Sequence, residues 1–130
     1  MYQAQLGAAR AQYTREAVTT ASPARLLIML YDRLIRDLVT AETALTAGDN
    51  AKASSELVHA QQIILELRTS LDLDSWDGAA GLADLYTYLH TELVGANLDK
   101  NTTRVTTCRE IIEPLRDTWR QAALQALQPA

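Results

Sequence analysis

Glu56 and His59 stand three residues apart. On a helix that spacing puts a carboxylate and an imidazole on one side, and carboxylate-bridged metal bundles use it twice, together with two further inward-facing glutamates. Here the spacing occurs once, because His90 has threonine rather than glutamate three positions before it. Both residues flank the apolar stripe of Leu57, Ala60 and Ile64, with His59 well outside it, so the ligand count for a metal centre falls short. The lone cysteine, Cys108, occupies a position on an apolar stripe with no histidine near it in sequence. A reactive thiol needs an electropositive, accessible setting, whereas a free cysteine among apolar neighbours behaves as a small hydrophobe. Neither Gly-x-x-x-x-Gly-Lys nor Gly-x-Gly-x-x-Gly is present to cradle a phosphate. The residue pattern therefore offers no catalytic constellation, no metal site and no cofactor site, and the chain reads as a binding protein rather than an enzyme.

The elements that carry these residues are helical. A chain of 130 residues fits one domain. Its apolar fraction of 48 % is mostly Ala and Leu, with no Phe, which favours helix over strand. Residues 1–20 form a lead segment with a thin apolar stripe (Tyr2, Leu6, Tyr13, Val18), read as a mobile or loosely docked arm. Thr20-Ala21-Ser22-Pro23 is a helix start, with Ser to accept from free N–H groups and Pro where its missing donor costs nothing. Four amphipathic segments follow, at about 23–47, 50–72, 79–98 and 102–127. Their seams run through Leu27, Tyr31, Leu34, Leu38, Ala41 and Leu45; through Ala53, Leu57, Ala60, Ile64, Leu67 and Leu71; through Leu82, Leu85, Leu89, Leu93 and Ala96; and through Val105, Cys108, Ile112, Leu115, Trp119, Ala122 and Ala126. Gly48-Asp49, the polar stretch 72–78 and Asn97 to Asn101 separate them. Four such helices with short turns bury their seams together as an all-α, antiparallel up-down four-helix bundle, occupying residues 21–128 behind the arm. Pro114 lies inside the last segment on its outward side, where a kink over 109–114 is expected.

Charge narrows the partners. The formal net charge is −4, and the cations alternate with anions, as in Arg33 and Arg36 between Asp32 and Asp37, a pattern expected on a solvated helix face. Without a basic stripe, nucleic acid is not an expected partner. One cysteine points to a reducing compartment. The N-terminus has no basic region followed by an apolar run, and no stretch reaches the roughly 18 consecutive apolar residues of a membrane span, so neither a signal peptide nor membrane insertion is expected and the location reads as cytoplasmic.

What remains is surplus apolar surface. Val58 and Leu65, Tyr86 and Leu93, and Ile28 and Ile35 each lie seven apart beside a seam. Either the buried face is wide, or a groove between the second and third helices receives a partner's amphipathic helix.

These residues also carry a resemblance. Tyr13, Val18, Thr20-Ala21-Ser22-Pro23, Leu26, Leu27 and Met29-Leu30-Tyr31-Asp32 resemble the start of the FliS family of flagellin-specific export chaperones. So do Gly48-Asp49, Ala60-Gln61-Gln62-Ile63-Ile64 with Leu67, Ser70 and Leu71, then Leu82, Leu85-Tyr86, Tyr88-Leu89, Ala96-Asn97, Leu115-Arg116 and Trp119. The likeness spans about residues 13–120. Arg33 after Met-Leu-Tyr-Asp, Pro114 and the long lead segment depart from the family pattern.

The resemblance implies a chaperone that binds the disordered C-terminal segment of flagellin in the cytoplasm, prevents early polymerisation and presents the subunit to the export gate protein FlhA. A monomer or weak homodimer is expected; the resemblance implies contact with the surface of the second and third helices, on which Val58, Ile64, Leu65, Tyr86, Leu89 and Leu93 are expected to supply the client-binding groove, with Tyr13 and Val18 as a displaceable lid. The competing expectation is a structural, self-associating bundle with no unfolded client.

Overall fold

The computed structural model describes residues 22–127, and these form four helices: α1 (Pro23–Thr46), α2 (Asn50–Ser70), α3 (Ala79–Asp99) and α4 (Thr102–Ala126). Three of the four starts carry a side-chain cap, α3 beginning after Gly78 without one. The Ser22 hydroxyl accepts from Arg25 N–H at 3.2 Å, with Pro23 next in line; Asp49 accepts from Lys52 N–H at 3.1 Å; Asn101 accepts from Arg104 N–H at 3.2 Å. The side-chain oxygen in each case satisfies an N–H that the helix itself cannot. Gly48, with φ +77°, turns the chain out of α1, and Lys100 takes the left-handed conformation after α3 at φ 51°.

Every helix touches its sequence neighbours, α4 closes the ring against α1, and the diagonal pairs α1–α3 and α2–α4 make no close backbone approach. With connections of three residues (47–49) and two residues (100–101), this is the up-down antiparallel bundle expected. Small residues at Ala41, Ala53, Ala60, Ala83 and Ala96 are buried, alternating with Leu34, Leu38, Leu57, Leu67, Leu89 and Leu93. That alternation lets large side chains of one helix interlock with gaps on the next. In place of phenylalanine, two tyrosines reach the centre. Tyr31 from α1 and Tyr86 from α3 meet across the open diagonal with a hydroxyl–hydroxyl hydrogen bond of 2.6 Å.

Two expectations need correction. Asp37 does not lie on a solvated face: it is 1 % exposed, held by Arg33 Nε at 3.0 Å and by a short hydrogen bond from His59 Nδ1. The α4 seam ends at Trp119, since Ala122 and Ala126 are exposed along with Leu124 and Leu127. Those last turns have no helix of the described residues packed over them. By contrast, α4 continues through Pro114 as one unbroken helix, as expected; the proline faces solvent, where water can satisfy the carbonyl whose donor is missing.

The partners of Asp37 are half exposed while the carboxylate is not. Removing both partners (Arg33→Ala with His59→Ala) strands a buried charge and is expected to cost about 2–3 kcal/mol, against about 1 kcal/mol for Asp37→Asn, which discards the charge and keeps the shape. Urea unfolding of the two variants checks this, and equal losses would contradict the burial argument.

Candidate functional site

The end of the bundle formed by the start of α1, the 71–78 connection and the last turns of α4 holds a pocket of about 610 Å3. Leu26, Leu27 and Leu30 line it from α1, Leu67, Ser70 and Leu71 from α2, Leu82 and Tyr86 from α3, and Trp119 from α4. Trp76 closes one side. Its ring lies over Gly78, where a Cβ would stand 2.0 Å from the indole, so only glycine leaves room for that ring position. The connection is shaped around Asp72, whose carboxylate accepts from Asp74 N–H at 3.0 Å and whose carbonyl accepts from Ser75 Oγ at 2.6 Å.

The pocket is apolar and open. Leu26 is 50 % exposed, Trp76 48 % and neighbouring Met29 52 %. Large side chains half out of water at the mouth of an apolar concavity mark a binding surface rather than scattered surface residues. Glu66 and Asp72 stand among the lining residues, and no lysine or arginine does.

Polar groups at the floor are donors. The Trp119 indole nitrogen is buried with no hydrogen-bond partner. It stands near enough to Tyr31 to ease that hydroxyl's ionisation, yet their geometry falls short of a hydrogen bond. Burial still holds the Tyr31 hydroxyl above its ordinary range, and the same desolvation, reinforced by the Tyr31 hydroxyl, raises Tyr86. Both phenols are therefore protonated donors at any physiological pH.

The expected client-binding residues separate into three groups. Val58 and Leu65 are 42 % and 46 % exposed on the outer side of α2. Ile64, Leu89 and Leu93 are sealed in the core, so the expectation that they present a groove to solvent is corrected: they sit on the seams themselves, and the bundle interior takes them up. Tyr86 is also buried, but it lines the pocket. Tyr13 and Val18 lie outside the described residues. Sequence reasoning missed Trp76, placed in a connection taken as polar, and Leu26, an apolar residue off the seam; a large apolar side chain beside a helix start was the available signal.

The model of the family described as "Flagellar protein FliS" matches residues 5–126. The chain belongs to the FliS family. It is 32 % identical over 129 residues to the flagellar secretion chaperone FliS of Salmonella typhimurium, covering 97 % of this chain and 96 % of that protein. With the Bacillus subtilis protein of the same name it shares 30 % identity over 110 residues, 85 % of this chain and 82 % of the relative. The Escherichia coli protein of that name is 32 % identical over 127 residues, 95 % of this chain and 93 % of its own. The match to the family model ends at the last residue of α4, so every lining residue of the pocket falls inside it.

Elsewhere the titratable groups serve the bundle. Arg109 reaches Glu42 at 2.6 Å and Glu113 at 3.1 Å, and Thr106 donates to Glu42 at 2.6 Å, tying α4 to α1. Arg116 and Arg120 both hold Asp32. Arg104 clasps Glu92 and Asp99, lying over Gly95, where a Cβ would meet the guanidinium at 2.3 Å. Among the described residues no group of three His, Cys, Asp or Glu is placed to hold a metal ion, and no helix is long and apolar enough to cross a membrane. Cys108 is buried in α4, and desolvation, with a smaller contribution from Glu92, pushes its thiol up to about 11. A raised pKa leaves little thiolate at neutral pH. Labelling with a disulfide reagent at pH 8 should therefore be slow in the native protein and become fast on addition of denaturant; fast native labelling would place Cys108 at the surface.

Proposed function

We propose that this FliS-family chaperone binds the disordered C-terminal segment of flagellin in the cytoplasm, keeps it from polymerising early and presents it to the export gate protein FlhA. The reading makes it a binding protein without catalysis, acting as a monomer or weak homodimer. The observation that supports it best is the open apolar pocket between the start of α1 and the 71–78 connection. A disordered segment that orders on binding must offset its lost entropy by burying apolar area, and half-exposed Leu26, Met29 and Trp76 supply such area at the pocket mouth. Val58 and Leu65 extend the apolar surface along α2 as a second contact strip. Ile64, Leu89 and Leu93 support that surface from within, and Tyr13 and Val18 are assigned, on the family's pattern alone, to a segment that the client displaces.

Leu26→Asp places a charge at the pocket mouth without touching the core. It is expected to weaken binding of a flagellin C-terminal peptide by about tenfold or more, corresponding to about 1.4 kcal/mol, while Leu65→Asp weakens it less. Calorimetry with both folded variants checks this. Unchanged affinity in both would remove the two surfaces from the site, and absence of flagellin from material co-purified out of a flagellated cell would overturn the reading.

A further inference from the structure

The floor of the pocket has more hydrogen-bond donors than acceptors. Tyr31 and Tyr86 share one hydrogen bond of 2.6 Å, so whichever hydroxyl donates, the proton of the other has no acceptor within the pair. The Trp119 N–H is buried beside them and also unpartnered. Trp119 stands near the Tyr31 hydroxyl at a geometry short of a hydrogen bond, and Tyr86 and Trp119 both line the cavity. A buried donor without an acceptor is costly, and the cost is recovered when a ligand brings the acceptor.

We infer that the pocket is specific for a peptide backbone carbonyl carried into it beside an apolar side chain, with Trp119 and Tyr86 as the donors that read it. This rests on the peptide-binding reading above and adds its chemistry. The remaining wall is leucine and indole, which suits a Leu, Ile, Val or Met side chain, while Glu66 and Asp72 at the lining disfavour an acidic one. Carbonyls in the middle of a helix are already committed to the N–H four residues on. The carbonyl seated here therefore belongs to an extended stretch or to the final turn of a client helix, where carbonyls are free. The amphipathic helix that periodicity suggests as a partner does not dock its central turns in this pocket; its end, or a non-helical stretch, does.

Trp119→Phe keeps an aromatic ring and removes the N–H, and Tyr86→Phe removes one hydroxyl. The full-length protein and both variants are to be titrated calorimetrically with a synthetic flagellin C-terminal peptide and melted without it. For Trp119→Phe the expectation is a dissociation constant raised about three- to tenfold, as for loss of one well-made hydrogen bond, with a Tm that does not fall, because the free protein loses only an unsatisfied donor. Tyr86→Phe should weaken binding by a similar factor and lower the Tm, since it also breaks the bond to Tyr31. Parent-like affinity in both variants would overturn the inference and leave the flagellin reading standing. A lower Tm for peptide-free Trp119→Phe would show that the N–H already has an acceptor within the chain, and would overturn it as well. No binding by the parent protein would remove the flagellin reading and the inference together.

Discussion

The contact between Tyr31 and Tyr86 crosses one of the two diagonals along which the helices do not pack closely. Neighbouring helices are held by interlocking Leu and Ala, but α1 and α3 face each other over the diagonal with a gap that only long side chains span. Two phenol rings fill it with apolar area and meet at their polar tips. A phenylalanine pair would fill similar volume with no preferred register. The hydroxyls fix which turn of α1 stands opposite which turn of α3, and so set the level at which the dry core ends and the pocket begins.

Around this centre the polar residues act as register marks. Asp32 and Glu42 on α1 collect Arg116, Arg120 and Arg109 from α4, while Asp37 on the same helix collects His59 from α2. Partly exposed pairs of this kind contribute little net stability each. Their use is directional. A one-turn slip of α4 along α1 would separate several pairs at once while leaving much of the Leu and Ala packing available, so the charges discriminate between alternatives that the apolar core treats as similar.

Much of the fold was legible because it rests on periodicity and caps. Ser22, Asp49 and Asn101 start helices where short polar residues precede apolar repeats, and the seams predict the buried residues of α1 and α2 closely, while in the first turns of α3 burial falls on Ala83 and Tyr86 rather than Leu82 and Leu85. Legibility failed where burial depends on a second helix. Asp37 carries a charge, so a single-helix view sends it outward; it is buried because Arg33 and His59 arrive to meet it. Ile35, Ile63 and Tyr86 lie beside the seams, and they are interior because the ring of helices closes over them, a fact no single helix contains. The pocket was harder still. It gathers side chains from all four helices and an irregular connection, and Trp76 reaches it only because Gly78 leaves space beside it.

The two ends of the bundle are built differently. At one, the three-residue and two-residue turns, the side chains of Asp49 and Asn101 and the Arg104 clasp over Gly95 leave the backbone little freedom. At the other lie the first turn of α1 and the eight residues between α2 and α3, gathered around the pocket. A ligand of different bulk in the pocket would bear on the 71–78 connection and the first turn of α1, and on neither of the tight turns at the opposite end.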